Sequence, residues 1–252
     1  MNKIVLHDAM SVLRAELERD HTGFAVRGVV ARQFEEPGLH IWVWDGPRNS
    51  ASRKAIYPGY KANREPAPVP IMKGLELIRS MLELTPAIQV REPDVEADDV
   101  IAELVRQYHR DNEIEIRTRD RDLLALTIYP NVTATVEPYP NVETRWIHLY
   151  KATVGDPSDE VKGIYRFGNK AWEQADKKHL LSCVSSHGPR LVSSWLEAGL
   201  SKTSAEWAAE NYDTIRACWK ITGFLPLTKP MEPIVGIPNR NAALSICKEY
   251  MI

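Results

Sequence analysis

Cysteine is scarce in this sequence, and its placement rules out most cysteine chemistry. Cys183, Cys218 and Cys247 are odd in number and far apart. That excludes a disulfide framework and a zinc-finger spacing, and makes a reducing, cytoplasmic setting the expectation. No apolar run approaches the ~20 residues that a membrane-spanning helix needs. The N-terminus, MNKIVLHDAM, enters a strand-like run directly, so neither a signal peptide nor a membrane partner is expected. Internal repeats and low-complexity tracts are also missing. So is a surplus of positive charge, with 32 Lys and Arg against 34 Asp and Glu and a net charge of −2. This excludes a protein coated in positive charge, but allows a basic patch beside an acidic cluster. The 252 residues, 44% hydrophobic and 26% charged, suffice for one large globular domain or two small ones.

The segment that organises the rest is WVWDGPRNSASRKAIYPGYKANR, Trp42 to Arg64. An apolar strand delivers Asp45 at its end. The following arm holds Arg48, Arg53, Lys54, Lys61 and Arg64, with Tyr57 and Tyr60 between them and no acidic residue. Phosphodiester chemistry needs both halves: a carboxylate to hold a metal ion and cations to hold the polyanion. The bland alternative is a strand end followed by a solvated loop.

Taken in order, Lys3–His7 reads as a strand followed at once by Asp8, and residues 9–20 read as a helix containing Arg14. Residues 23–36 are valine-rich, but apolar positions 26, 29, 30 and 34 have helical spacing, so a helix is expected. Leu39–Trp44 is uniformly apolar and reads as a central strand. Pro58-Gly59 keeps any helix in the arm short or kinked, and Pro66, Pro68 and Pro70 form a stiff exit. A helix over 71–84, a strand at Ala87–Val90, a helix opening at Pro93-Asp94 and a strand at Glu113–Arg117 follow. Thr133–Val136 and Trp146–Leu149 are weaker strand candidates. Beyond Tyr150 nearly everything looks helical. The expectation is an α/β core with a mostly parallel sheet over 1–149, carrying the basic segment at about 46–70, and a helical portion over 150–252. Residues 223–252, with four prolines, read as an extension without an assigned role.

Asp8, Asp45 and the pair Asp120/Asp122 each follow a strand's C-terminal end. Glu96, Asp98 and Asp99 lie at a helix start that also follows a strand. In an open parallel sheet these ends share one edge, where ligands bind. Asp156 and Asp159 can join from the helical portion. Carboxylates so gathered repel one another unless cations intervene, and all-oxygen donors suit Mg²⁺ or Mn²⁺. Two such ions about 4 Å apart would stabilise both the attacking and the leaving oxygen of a phosphodiester. Singly, each acid has another explanation: Asp94, Glu96, Asp98 and Asp99 favour a helix N-terminus, and Asp120 is a candidate N-cap.

At these residues the chain resembles the 5′ nucleases: bacteriophage 5′→3′ exonucleases, flap endonucleases and the 5′-nuclease domain of bacterial DNA polymerase I. The matching blocks are Asp8 with Arg14, DGPRNSASRKAIYPGYKANREPAPVP, VEADDVIAEL, TRDRDLLAL and GDPSDEVKGIYRFGNKA, in family order across roughly residues 1–180. The resemblance implies a PIN-like α/β core, with a helix-hairpin-helix-like motif in the helical portion. It implies that Asp8, Asp45, Glu96, Asp98, Asp99, Asp120, Asp122, Asp156 and Asp159 bind two divalent metals. It places Lys61 and Arg64 at the scissile phosphate, with Arg53, Lys54, Tyr57 and Tyr60 in the same arch segment. It implies duplex contacts around Gly163, Arg166, Gly168 and Lys170, with a potassium ion held there by backbone carbonyls.

One departure stands in that last motif: Arg166 occupies a position where glycine is usual. A side chain opposes a φ > 0 conformation and a close approach to phosphate, so either the potassium site is lost or Arg166 meets phosphate itself. Ala125 likewise replaces a common glutamine. The implied function is a metal-dependent 5′→3′ exonuclease or flap endonuclease of DNA replication or repair, with a phage source; a monomer is expected. Its substrate is DNA bearing a 5′ end, nick or flap, with RNA–DNA hybrids also open. An inactive structure-specific DNA-binding protein and a Mg²⁺-dependent small-molecule phosphatase are the alternatives; a phosphatase has no use for the basic arm. Trp146, Trp172, Trp195, Trp207 and Trp219 read as helix-packing residues ahead of base-stacking platforms. Lys177 and Lys178 read equally as phosphate contacts or a solvated face.

Overall fold

The computed structural model describes residues 1–19, 23–185 and 191–249. Its elements begin β1 (Asn2–Asp8), α1 (Ala9–Arg19), α2 (Gly23–Glu35), β2 (Leu39–Trp44), α3 (Ala51–Ile56) and α4 (Val69–Leu82). They continue with β3 (Ile88–Arg91), α5 (Ala97–Tyr108), β4 (Asn112–Arg117), a 3-10 helix (Arg121–Ile128), β5 (Val132–Ala134) and a short 3-10 turn (Thr144–Trp146). The rest are α6 (Ile147–Val154), α7 (Asn169–Gln174), α8 (Lys177–Ser185), α9 (Val192–Glu197), α10 (Lys202–Glu210), α11 (Tyr212–Thr222), β6 (Ile234–Val235) and α12 (Arg240–Glu249).

The chain forms two compact units, and its path between them is interleaved. A sheet unit comprises Met1–Asn49, Glu65–Glu137 and Pro226–Ile252; a helical unit comprises Ser50–Arg64 and Pro138–Leu225. The sequence places one boundary between 149 and 150. The chain instead lends most of its basic arm to the helical unit and returns its C-terminal extension to the sheet unit.

In the sheet unit the strand order is β5-β4-β1-β2-β3-β6. Neighbours pair in parallel except β3 and β6, which are antiparallel. β1 and β2 lie centrally, as their apolar runs require: Val5, Leu6 and Val43 have no exposed surface. Helices α1, α2, α4 and α12 close over a cluster containing Trp42, Trp44, Leu13, Val29 and Ile78. Ile71, Leu75, Ile78, Met81 and Leu82 form the buried stripe of α4, the residues its periodicity marks. The two buried indoles are satisfied: Trp42 donates to Gln33 and Trp44 to Gln89, each at 3.0 Å. Residues 23–35 are helical, as the spacing of Val29, Val30 and Phe34 predicts.

Trp146–Leu149 is not a strand. Ile147, Leu149, Lys151 and Ala152 are buried along α6, which packs on α11. The short alternation Trp-Ile-His-Leu mimics a strand, and a helical stripe decides the outcome. The extension also has a structural role. β6 pairs Val235 with Ile88 and Ile234 with Gln89, covering the edge of β3, while α12 packs on α2. Cys183 and Cys218 are free, buried thiols. Burial pushes both up to about 11, so they are unreactive at neutral pH; the Cys247 side chain lies outside the described residues.

Truncation after Leu225 removes β6 and α12 from the sheet unit and opens the β3 edge. The truncated chain is expected to unfold at lower urea concentration and to aggregate more readily than the full chain. An unchanged urea midpoint would contradict the placement of these elements.

Candidate metal centre and basic arm

Strand register gathers the carboxylates of the sheet unit. Asp8 ends β1 opposite Val43 of β2, and His7 lies opposite Arg117 of β4. Asp45 and Asp120 therefore follow strands that flank Asp8 on either side, at the same edge. The loop after β2 is pinned against the segment before α5. Gly46 donates to the Val95 carbonyl at 3.1 Å and Arg48 to the Pro93 carbonyl at 2.9 Å. A Cβ at Gly46 would stand 1.9 Å from the Glu92 carbonyl oxygen, so only glycine permits this approach. The approach lets Asp45 Oδ1 accept from the backbone N–H of Ala97 at 3.0 Å, in the first turn of α5. Glu96 is the N-cap residue of that helix, and Asp98 and Asp99 lie in its first turn. Beyond β4, Asp120 is the N-cap of a 3-10 helix, accepting from the N–H of Asp122 at 2.9 Å. Asp120 thus both caps a helix and joins the sheet-edge acids, whereas Glu96 occupies an N-cap position without a side-chain cap hydrogen bond.

Thr118, which sequence reasoning missed, joins the pieces. Its buried hydroxyl donates to Asp8 Oδ2 at 2.7 Å and accepts from the Asp120 N–H at 2.8 Å. A threonine two residues before an aspartate at a strand end is a signal that could have been read. Ser11 donates its N–H to Asp8 Oδ1 at 3.3 Å. His7 stacks flat on Trp42, with ring centroids 4.0 Å apart, and its Nε2 lies 3.0 Å from His40 Nδ1. Burial holds His7 well below its ordinary value, so it is neutral and brings no countercharge to Asp8.

The electrostatics of this edge are those of crowded acids. Burial, reinforced by the charges of Asp45 and Asp120, lifts Asp8 to about 7 against the Thr118 hydrogen bond. Burial, then the charges of Asp120, Asp8, Glu96 and Asp122, push Asp98 well above the carboxylate range. Among the described residues no group of three or more His, Cys, Asp or Glu side chains stands close enough together to hold a metal ion. The chemistry of the set nevertheless suits a hard divalent cation, since its donors are oxygens only.

The helical unit handles its acids differently. Asp156 and Asp159 flank the ammonium of Lys151, with Nζ at 2.5 Å from Asp156 Oδ2 and 3.5 Å from Asp159 Oδ2. Burial alone would raise Asp156, but the Lys151 charge holds it below the carboxylate range. Sequence reasoning missed Lys151 too, although a lysine four residues after buried Ile147 on one helix stripe is a readable anomaly.

The arm belongs to this unit. The short α3 stops before Pro58, as expected. Arg53 is buried and donates to the carbonyls of Ile221 at 2.9 Å and Gly223 at 3.0 Å. Tyr60 is buried in a cluster with Ala152, Val161, Cys218 and Ile221. These two side chains fasten the arm and are not presented to a ligand; Lys54 and Arg64 are exposed, and Tyr57 is half-buried. Lys61 adopts a left-handed backbone, φ 49°, with its ammonium 3.8 Å from Asp159 Oδ1 and over the Tyr60 ring.

Gly163 has φ 70°, and Arg166, where glycine is usual, has φ 58°. Arg166 therefore takes the left-handed conformation that its side chain disfavours, and it remains exposed with Gly168 and Lys170. Arg14 is spent partly on Glu18, at 2.7 Å on its own helix. Trp172 and Trp195 are buried core residues, and Lys177 donates to the carbonyls of Glu173 and Ala175.

The family model described as 5'-3' exonuclease, N-terminal resolvase-like domain, matches residues 23–155. The thermostable DNA polymerase I of Thermus thermophilus is 31% identical over 160 residues, covering 59% of this chain and 19% of that protein. The chain thus spans about a fifth of the length of the polymerase relatives it matches. The flap endonuclease Xni of Shewanella piezotolerans is 31% identical over 194 residues, covering 68% of this chain and 74% of that protein. A solved structure of T5 5'-exonuclease with bound zinc ions aligns with a TM-score of 0.67 at 12% identity, covering 87% of this chain and 89% of that one; this likeness is one of fold. No described helix is long and apolar enough to cross a membrane.

Folded and metal-free, Asp8 keeps its proton up to about pH 7, whereas unfolded it loses it near pH 4. The unfolded state binds fewer protons between these limits, so this group's contribution to stability falls as pH rises through them. In chelator at pH 8, Asp8→Asn is expected to melt above the wild type, with the gap closing toward pH 5. A variant melting below wild type at pH 8 would contradict the crowding. Thr118→Val is expected to weaken Mg²⁺ binding by about 10- to 100-fold, with Thr118→Ser restoring it, measured by calorimetric titration.

Proposed function

The chain belongs to the 5'-3' exonuclease family, and on that premise we propose that it is a divalent-metal-dependent 5′→3′ exonuclease and flap endonuclease. The observation that carries this reading is the carboxylate edge: Asp8 and Asp98 are pushed up by neighbouring acids, a state that a cation relieves. Asp8, Asp45, Glu96, Asp98, Asp99, Asp120 and Asp122 would hold Mg²⁺ or Mn²⁺. When bound there, such a cation supplies positive charge to phosphate oxygens and acidifies water. The chain's own groups do the rest. Thr118 and Ser11 orient Asp8, and the Ala97 N–H orients Asp45. Exposed Lys54 and Arg64 hold backbone phosphates of a 5′ strand, Lys61 brings an ammonium to the scissile phosphate, and Tyr57 offers a ring to a base.

Residues 163–168 form the turn that grips duplex backbone. The left-handed Gly163 and Arg166 support this, because Arg166 keeps the turn's conformation despite its side chain. A potassium ion on carbonyls of that turn belongs to the same reading, as do a monomeric state and tolerance of RNA–DNA hybrids. The products carry 5′-phosphates.

The test uses end-labelled 5′-flap, nicked and blunt duplex DNA with Mg²⁺ and with chelator. Wild type is expected to release 5′ products only with metal, and Asp122→Asn to lose at least ~100-fold in rate. Binding without cleavage in both Mg²⁺ and Mn²⁺ would overturn the catalytic reading in favour of a DNA-binding protein.

A further inference from the structure

The geometry points to Lys151 as the resident cation between Asp156 and Asp159, two acids that the family resemblance counts among the ligands of two divalent metals. The inference deepens the metal-dependent reading above and rests on it for the role of the sheet-unit carboxylates.

Three oxygens of this acid pair meet a donor within 3.5 Å in the helical unit, and the fourth faces an ammonium. Asp156 Oδ1 accepts from the Ser158 N–H at 2.9 Å and from the Ser158 hydroxyl at 2.6 Å. Asp156 Oδ2 and Asp159 Oδ2 face Lys151, and Asp159 Oδ1 faces Lys61 at 3.8 Å. Two carboxylates thus meet two ammonium groups. Lys151 is only 5% exposed. A metal ion entering between the acids would expel a buried ammonium from its countercharges, and an uncompensated buried charge is strongly disfavoured.

The backbone holds this arrangement closed. Lys151 lies in the last turn of α6. The chain then turns at Gly155, and Asp156 and Val161 exchange two backbone hydrogen bonds at 2.7 and 2.9 Å. The Lys61 N–H reaches the Asp159 carbonyl at 3.4 Å, so the arm is tied to the same loop. The sheet-unit acids are placed differently: β1, β2 and β4 pair in parallel and bring Asp8, Asp45 and Asp120 to one sheet edge. Divalent ions are therefore assigned to Asp8, Asp98, Asp120 and their neighbours alone. Asp156 and Asp159 serve to seat Lys151 and Lys61.

The test counts bound Mn²⁺ by electron paramagnetic resonance under saturating conditions, with circular dichroism confirming the fold of each variant. Asp156→Asn/Asp159→Asn is expected to bind as many ions as wild type. Lys151→Met is expected to gain one ion, and Lys151→Met/Asp159→Asn to lose that gain. A double variant Asp156→Asn/Asp159→Asn that binds one ion fewer than wild type would overturn the inference. Because buried substitutions can disturb folding, the wild type supplies an independent readout. Acylation of Lys151, followed by mass spectrometry, is expected to stay low and flat across a Mn²⁺ titration, and a rise with Mn²⁺ would show the ammonium displaced and the inference wrong. Loss of the remaining ions in Asp98→Asn tests the functional reading separately, since neither Lys151 measurement depends on those sites.

Discussion

Mutual repulsion among buried carboxylates is the constraint on which this structure turns. Parallel pairing of β1 with β2 and β4 fixes Asp8, Asp45 and Asp120 at one sheet edge. A glycine that no other residue can replace brings the N-terminus of α5 to the same place. Nothing in the hydrophobic core asks for this. Burial raises the cost of each charge, and the neighbours add to it, so the fold keeps Asp8 and Asp98 in a state that protons or cations must relieve. Such local destabilisation is found where binding is the purpose of the arrangement.

The helical unit meets the same problem with a different solution. Asp156 and Asp159 are also partly buried and also adjacent, yet Lys151 and Lys61 supply the balancing charge from within. An acid cluster is thus not by itself a metal site; what matters is whether the chain supplies its own cation. The basic arm shows a parallel division of labour. Arg53 and Tyr60 are consumed in anchoring, which leaves Lys54 and Arg64 on the surface. Anchoring gives the arm a defined shape from which exposed cations can act.

Much of this was legible in the sequence, for physical reasons that differ by residue. The central strands could be read because Leu39–Trp44 has no polar face to wet. The sheet-edge acids could be read because strand ends in parallel sheets converge. The helix over Gly23–Glu35 emerged from spacing against a β-branched composition. Trp146–Leu149 misled because four residues fit either period, and only the packing of α6 on α11 decides. Arg53 looked like a phosphate ligand because a buried arginine and an exposed one have the same letter; its partners are carbonyls some 170 positions away. The interleaving of the two units was invisible for the same reason, since it rests on contacts distant in sequence. Thr118 and Lys151 carry only faint local signals, because the fold sets their partners: Thr118 meets an aspartate 110 positions away, and Lys151 meets Asp156 across the Gly155 turn.

The central claim, that the gathered acids of the sheet unit form a cation site, is tested most directly by anomalous diffraction from crystals of this protein soaked in Mn²⁺. The account predicts a manganese peak within coordination distance of Asp8, Asp98 and Asp120 or Asp122, with the side chains drawn toward it. Crystals of a chain competent for metal-dependent cleavage that show no peak among these residues, or a peak elsewhere, would contradict it.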